Sequence, residues 1–140
     1  MDRAKHVPMD ITPGESILVV EDDLNVLQLL EDVIHCEGHV PIGVSHPSGA
    51  LESAKRHDPS LVLVDIMLPG RSGIDVAQEL RDHGFKHTPM VAMSASNIMR
   101  ELAMHTDLFQ ASIGKPFDID RFCDLIQSLL IGRVRQRETS

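Results

Sequence analysis

The sequence predicts an α/β domain: a doubly wound, five-stranded parallel sheet, (βα)5, with helices on both faces. Three observations predict it. Short apolar runs alternate strictly with stretches whose apolar residues recur at helical spacing. The runs are continuously apolar, as strands covered on both faces are. Polar, chemistry-bearing residues follow the runs, at the edge where such sheets hold ligands.

ILVV (Ile17–Val20) is the first strand. Leu24, Leu27, Leu30, Val33 and Ile34 set a helix that ends near Gly38. HVPIGV (His39–Val44) is a weaker strand, and Pro41 places it near an edge. Residues 47–57 form a second helix with Ala50, Leu51 and Ala54 inward. LVLVD (Leu61–Asp65) is the third strand. Ile74, Val76, Ala77 and Leu80 lie on a third helix, closed by Gly84. PMVAMSA (Pro89–Ala95) is the fourth strand, followed by a helix over about 97–106. FQASIG (Phe109–Gly114) carries a short fifth strand. Asp118 caps a last helix with Phe122, Leu125, Ile126, Leu129 and Leu130 inward. Residues 1–14 read as a flexible N-terminal arm, 15–131 as one domain, and 132–140 as a polar C-terminal tail.

Composition narrows the function. A chain of 140 residues is long enough for one core. With four Phe, no Trp and no Tyr, stacking platforms for bases are not expected. The net charge of −8 argues against direct binding to nucleic acid or an anionic membrane. No run approaches the ~20 apolar residues of a bilayer span. The N-terminus lacks an apolar signal core, which predicts a cytoplasmic protein. Cys36 and Cys123 lack CxxC spacing and read as reduced thiols packed as small apolar groups. The seven Met read as core filler. His35 and His39, and His83 and His87, are four apart, but Gly38 and Gly84 interrupt both pairs. They read as solvated loop histidines rather than metal ligands.

Strand ends carry the chemistry. Glu21, Asp22 and Asp23 follow the first strand, and Asp65 ends the third. Ser94 ends the fourth, and Lys115–Pro116 follows the fifth. In a parallel sheet these gather at one edge. Acids that close repel one another unless a cation joins them. One or two carboxylates plus water suit Mg²⁺. An aspartate nucleophile, a hydroxyl and an ammonium there supply what phosphoryl transfer needs. Taken singly, each residue has a plain structural reading: a helix cap for Asp22 or Asp23, a turn for Lys115–Pro116, a solvated strand end for Asp65. Their joint placement favours a site.

These motifs resemble the receiver domain of bacterial two-component response regulators. ILVVEDD resembles the family's first strand and acidic pair. LVLVDIMLPGRSGID resembles its phosphoacceptor strand and loop. MSAS and GKPFD resemble its hydroxyl-bearing strand end and its lysine–proline turn. The resemblance implies a flavodoxin-like fold and a phosphorylatable signalling switch. It implies that Asp65 accepts phosphate from a histidine kinase or histidine phosphotransfer protein. It implies that Asp22 ligates Mg²⁺ directly, Glu21 mainly through water, and Met67 through its backbone carbonyl, while Asp23 lies one place beyond the pair. Ser94, Ala95 and Lys115 fill the phosphoryl-binding and switch positions, and Pro116 is a candidate for a cis peptide bond. The surface of the fourth helix, fifth strand and fifth helix then signals to a downstream protein, and a weak homodimer through it is compatible with the sequence. Because few residues follow the last helix, a stand-alone regulator and a receiver cut from a longer chain are both open.

Two residues depart from the family pattern, and a third is notable for its bulk. Ser112 stands where the family has Tyr or Phe, so the aromatic end of the switch is missing. Gly114, beside the lysine, is expected to loosen its strand. Met67 is bulky and is expected to hinder water, lengthening the life of an aspartyl phosphate. Alternative readings stay open. A haloacid-dehalogenase-like phosphohydrolase also uses a strand-end Asp, but its second acid would fall at Met67. A nucleotide or flavin module needs a glycine-rich phosphate loop, which does not follow the first strand. A degenerate, unphosphorylated receiver would act as a binding module.

Overall fold

The computed structural model describes residues 14–139, with side chains through residue 132. Its elements run β1 (Ser16–Val20), α1 (Leu24–Cys36), β2 (Val40–Val44), a 3-10 turn (Pro47–Gly49), α2 (Ala50–His57), β3 (Leu61–Asp65), α3 (Gly73–Asp82), β4 (Met90–Ser94), α4 (Asn97–Met104), β5 (Ala111–Gly114) and α5 (Ile119–Thr139). The sheet order is β2-β1-β3-β4-β5, and every pairing is parallel.

Alternate strand residues feed two cores. Ile17, Val19, Leu61, Leu63, Val91 and Met93 pack with Leu30 and Ile34 of α1 and with Phe122 and Ile126 of α5. Leu18, Val20, Val62, Val64 and Ala92 pack on the other face with α2, α3 and α4, through residues such as Ala54, Leu80 and Ala103. This explains the unbroken apolar runs, since both faces of the central strands are covered. Full burial of a side chain such as Leu63 or Phe122 stabilises by about 2 kcal/mol. The edge strand β2 exposes Val40 and Gly43, as Pro41 foretold. Gly38 and Gly84 end their helices with φ of +88° and +108°, values that L side chains rarely adopt.

The structure departs from the sequence expectations in places. Helix α5 continues to Thr139 through residues read as a polar tail. The expected N-terminal arm, apart from Gly14, lies outside the described residues. Cys123 is buried, but Cys36 is exposed because it falls two places past Ile34, off the buried stripe of α1. His39 is buried rather than solvated, held where the chain turns from α1 into β2 by its N–H bond to Ile34 O.

Candidate functional site

Strand register decides which residues meet. Val20 pairs with Val64, Asp65 with Met93, and Ser94 with Gly114. The C-terminal ends of β1, β3, β4 and β5 are therefore neighbours, and their trailing side chains share one edge.

At the end of β1, the Glu21 N–H donates to Val44 O at 3.0 Å, which keeps the chain extended. Its side chain is fully buried. The next two acids, Asp22 and Asp23, are exposed. Asp23 caps α1, accepting from the N–H groups of Asn25 and Val26. Three adjacent acids thus split into an inward ligand candidate, a rim residue and a cap.

At the end of β3, Asp65 is 5% exposed. Its Oδ1 accepts from the Met67 N–H at 3.0 Å. The following loop is tight: Met67 bridges to Ser72, Gly70 takes φ +78°, and the Gly73 N–H returns to Ile66 O at 2.8 Å. A Cβ on Gly73 would lie 2.1 Å from the carbonyl oxygen of Asp65. Only glycine permits that approach, so Gly73 is a site-building residue. Met67 itself is exposed beside the site.

The partner of Asp65 is Lys115. Its Nζ donates to Asp65 Oδ2 at 2.8 Å and also to Glu21 Oε1. One ammonium bridges two buried carboxylates from different strands, and the Lys115–Pro116 peptide is cis. Burial pushes the Glu21 carboxyl up to about 7; the hydrogen bonds from Lys115 and the Asp23 N–H oppose the rise, and the nearby Asp65 charge adds to it. Burial pulls the Lys115 ammonium down, but its hydrogen bonds to Asp65 and Glu21 outweigh this and the net shift is upward.

Among the described residues, Glu21, Asp22 and Asp65 form the one group of three or more His, Cys, Asp or Glu side chains able to converge on an ion. Their ligand oxygens lie within 4.8 Å of one another. The donors are all hard carboxylate oxygens, and the acids outnumber the single ammonium. Both facts suit Mg²⁺.

The other predicted residues lie on or just past β4 and β5. Ser94 is buried, and its Oγ accepts from the Ser96 N–H at 3.1 Å, leaving the hydroxyl proton free to donate elsewhere. Ala95 is exposed at the rim. Ser112 is half-buried and, with Arg100, Gly114, Pro116 and Arg121, lines a cavity of about 430 Å³. Gly114 is part of β5. It stays in register with Ser94, and the Arg100 guanidinium occupies the place of its missing Cβ, which would sit 2.9 Å from Nη1. Sequence reading missed Gly73 and Arg100. Glycine beside a site was the available signal in both cases.

Comparison with known proteins now decides the family. Residues 17–127 match the family model "Response regulator receiver domain". The chain belongs to the response regulator receiver family. The polar-differentiation response regulator DivK of Brucella anthropi is 33% identical over 118 residues, which cover 83% of this chain and 96% of DivK. TrrA of Thermotoga maritima, solved with Mg²⁺-BeF, superposes with a TM-score of 0.75 at 28% identity, covering 82% of this receiver and 98% of TrrA. NtrX of Brucella abortus gives 0.80 at 26% identity, covering 89% of this receiver and 28% of NtrX. Membership makes this chain a receiver with the fold of a phosphorylatable signalling switch and displaces the haloacid-dehalogenase reading. No helix among the described residues is long and apolar enough to cross a membrane.

Proposed function

We propose that Asp65 of this receiver accepts a phosphoryl group from the phosphohistidine of a histidine kinase or histidine phosphotransfer protein. The observation that carries the proposal is the Lys115 ammonium held between Glu21 and Asp65 at the C-terminal edge of the sheet. An Asp65 oxygen forms a P–O bond as the P–N bond of the donor breaks, and the electron pair stays on the imidazole nitrogen. Glu21 and Asp22, with Asp65 and the Met67 carbonyl, would hold Mg²⁺. The ion, when bound, balances the acids and polarises a phosphoryl oxygen. Lys115 and the Ser94 hydroxyl take the remaining phosphoryl oxygens, and the exposed Ala95 leaves room for them. The Met67 N–H orients the Asp65 carboxylate. No external substrate is turned over. The surface of α4, β5 and α5 then regulates a downstream protein in the cytoplasm.

Incubation with acetyl phosphate and Mg²⁺ tests this by intact mass. Wild type gains one phosphoryl mass, and Asp65→Asn gains none. Labelling that persists in Asp65→Asn, or no labelling of wild type, overturns the assignment.

A further inference from the structure

The cavity at Ser112 and the contact at Gly114 both lead to one side chain, Arg100 of α4. Its Nη1 donates to the Ser94 carbonyl oxygen at 2.7 Å. Its Nη2 donates to the Asn97 side-chain oxygen. Its guanidinium lies on Gly114 in space that any other residue would fill. The Ser94 carbonyl also accepts the backbone N–H of Lys115 at 3.2 Å. A single oxygen therefore receives Arg100 and Lys115 together and belongs to the residue that bears the hydroxyl.

We propose that Arg100 is a positioning residue for phosphoryl transfer, clasping the ends of β4 and β5 so that the Ser94 hydroxyl and the Lys115 ammonium keep the spacing of the acceptor pocket. This role rests on Asp65 being the phosphoacceptor. A planar guanidinium suits this role because it donates in two fixed directions while its atoms lie close against Gly114. Gly114 is then the residue that admits the clasp. Ser112, two places earlier on the same strand, has too small a side chain to fill the space beside it. The fork is oriented by the Ser94 carbonyl and the Asn97 amide oxygen, and Asp118 lines the same cavity.

The test follows Asp65 labelling by acetyl phosphate with Mg²⁺, alongside exchange of the Lys115 amide proton by NMR. Arg100→Ala labels roughly five-fold or more slowly than wild type, since misplaced groups lose rate steeply. Its Lys115 amide exchanges faster, while the melting temperature changes little. Arg100→Lys, which keeps one donor for Ser94 O, recovers part of the rate. Gly114→Ala displaces the guanidinium and slows labelling to a similar extent. The double variant is no slower than either single, because both break one contact. Wild-type labelling rate and amide exchange in Arg100→Ala, or losses that multiply in the double variant, overturn the proposal. Absent Asp65 labelling in wild type, with the amide still coupled to Arg100, overturns the phosphoacceptor reading and leaves the clasp standing.

Discussion

Two cationic side chains are drawn into this domain at opposite edges of the sheet, and their surroundings differ in kind. At the N-terminal edge, Arg81 of α3 donates to the carbonyls of Phe85, Thr88 and Leu108 and to the side-chain oxygen of Gln110. Gln110 in turn accepts the Met90 N–H. Burial lowers the Arg81 pKa, yet an arginine keeps its charge at any accessible pH. At the C-terminal edge, Lys115 meets two carboxylates, with a third at the rim. The first centre is a cation saturated by neutral acceptors that join loop ends to a helix, so it has nothing left to do. The second has more acid than cation, and in the proposed function a divalent ion would balance that excess before an anionic phosphoryl group approaches.

Breaking each centre separately sharpens the contrast. The largest effect is expected at Lys115→Ala. Phosphoryl transfer to Asp65 falls by about 100-fold or more, the scale for losing one preorganised charge-stabilising contact, as a time course of intact mass would record. Next is Arg81→Met, which leaves three backbone carbonyls without their donor. It costs about 3 kcal/mol in urea unfolding but leaves the labelling rate of folded protein close to wild type. If Arg81→Met instead abolished labelling without destabilising, the two centres would not be distinct.

A smaller effect concerns pH. Glu21 titrates at about 7 in the folded chain against an ordinary 4.5. The folded state therefore binds its proton more tightly than the unfolded state does. The stability this contributes is complete below about pH 4.5 and is lost as pH climbs through about 7. Metal-free protein is expected to melt lower at pH 8 than at pH 5, with saturating Mg²⁺ restoring stability at pH 8, where the carboxylate is ionised. Glu21→Gln should flatten both trends in thermal melts. The smallest change is expected from Met67→Asn. Its shorter, polar side chain admits water, so the aspartyl phosphate decays roughly two- to five-fold faster than in wild type. Equal decay rates would remove any shielding role from Met67.

The strands were legible because burial on both faces writes itself as unbroken apolar runs. The site was legible because a parallel sheet forces the residues after β1, β3, β4 and β5 to one edge. Asp22 and Asp23 are adjacent and chemically alike; the family resemblance sets Asp23 outside the acidic pair, and the turn into α1 makes it the cap. What sequence did not disclose depended on side-chain direction. Arg100 is one of two surface-compatible charges on the amphipathic helix α4 until β5 is docked beside it. The end of the last helix was not legible for another reason: RVRQRET is polar but composed largely of good helix formers, and α5 propagates through it.

The ion pair between Lys115 and Glu21 spans 94 residues of chain, and that to Asp65 spans 50. A polypeptide leaving the ribosome carries Asp65 long before it carries the amine. Until β5 pairs with β4 at the far side of the sheet, Asp65 lacks its Lys115 partner, so under the proposed phosphoacceptor role a half-made molecule would not yet hold a complete pocket.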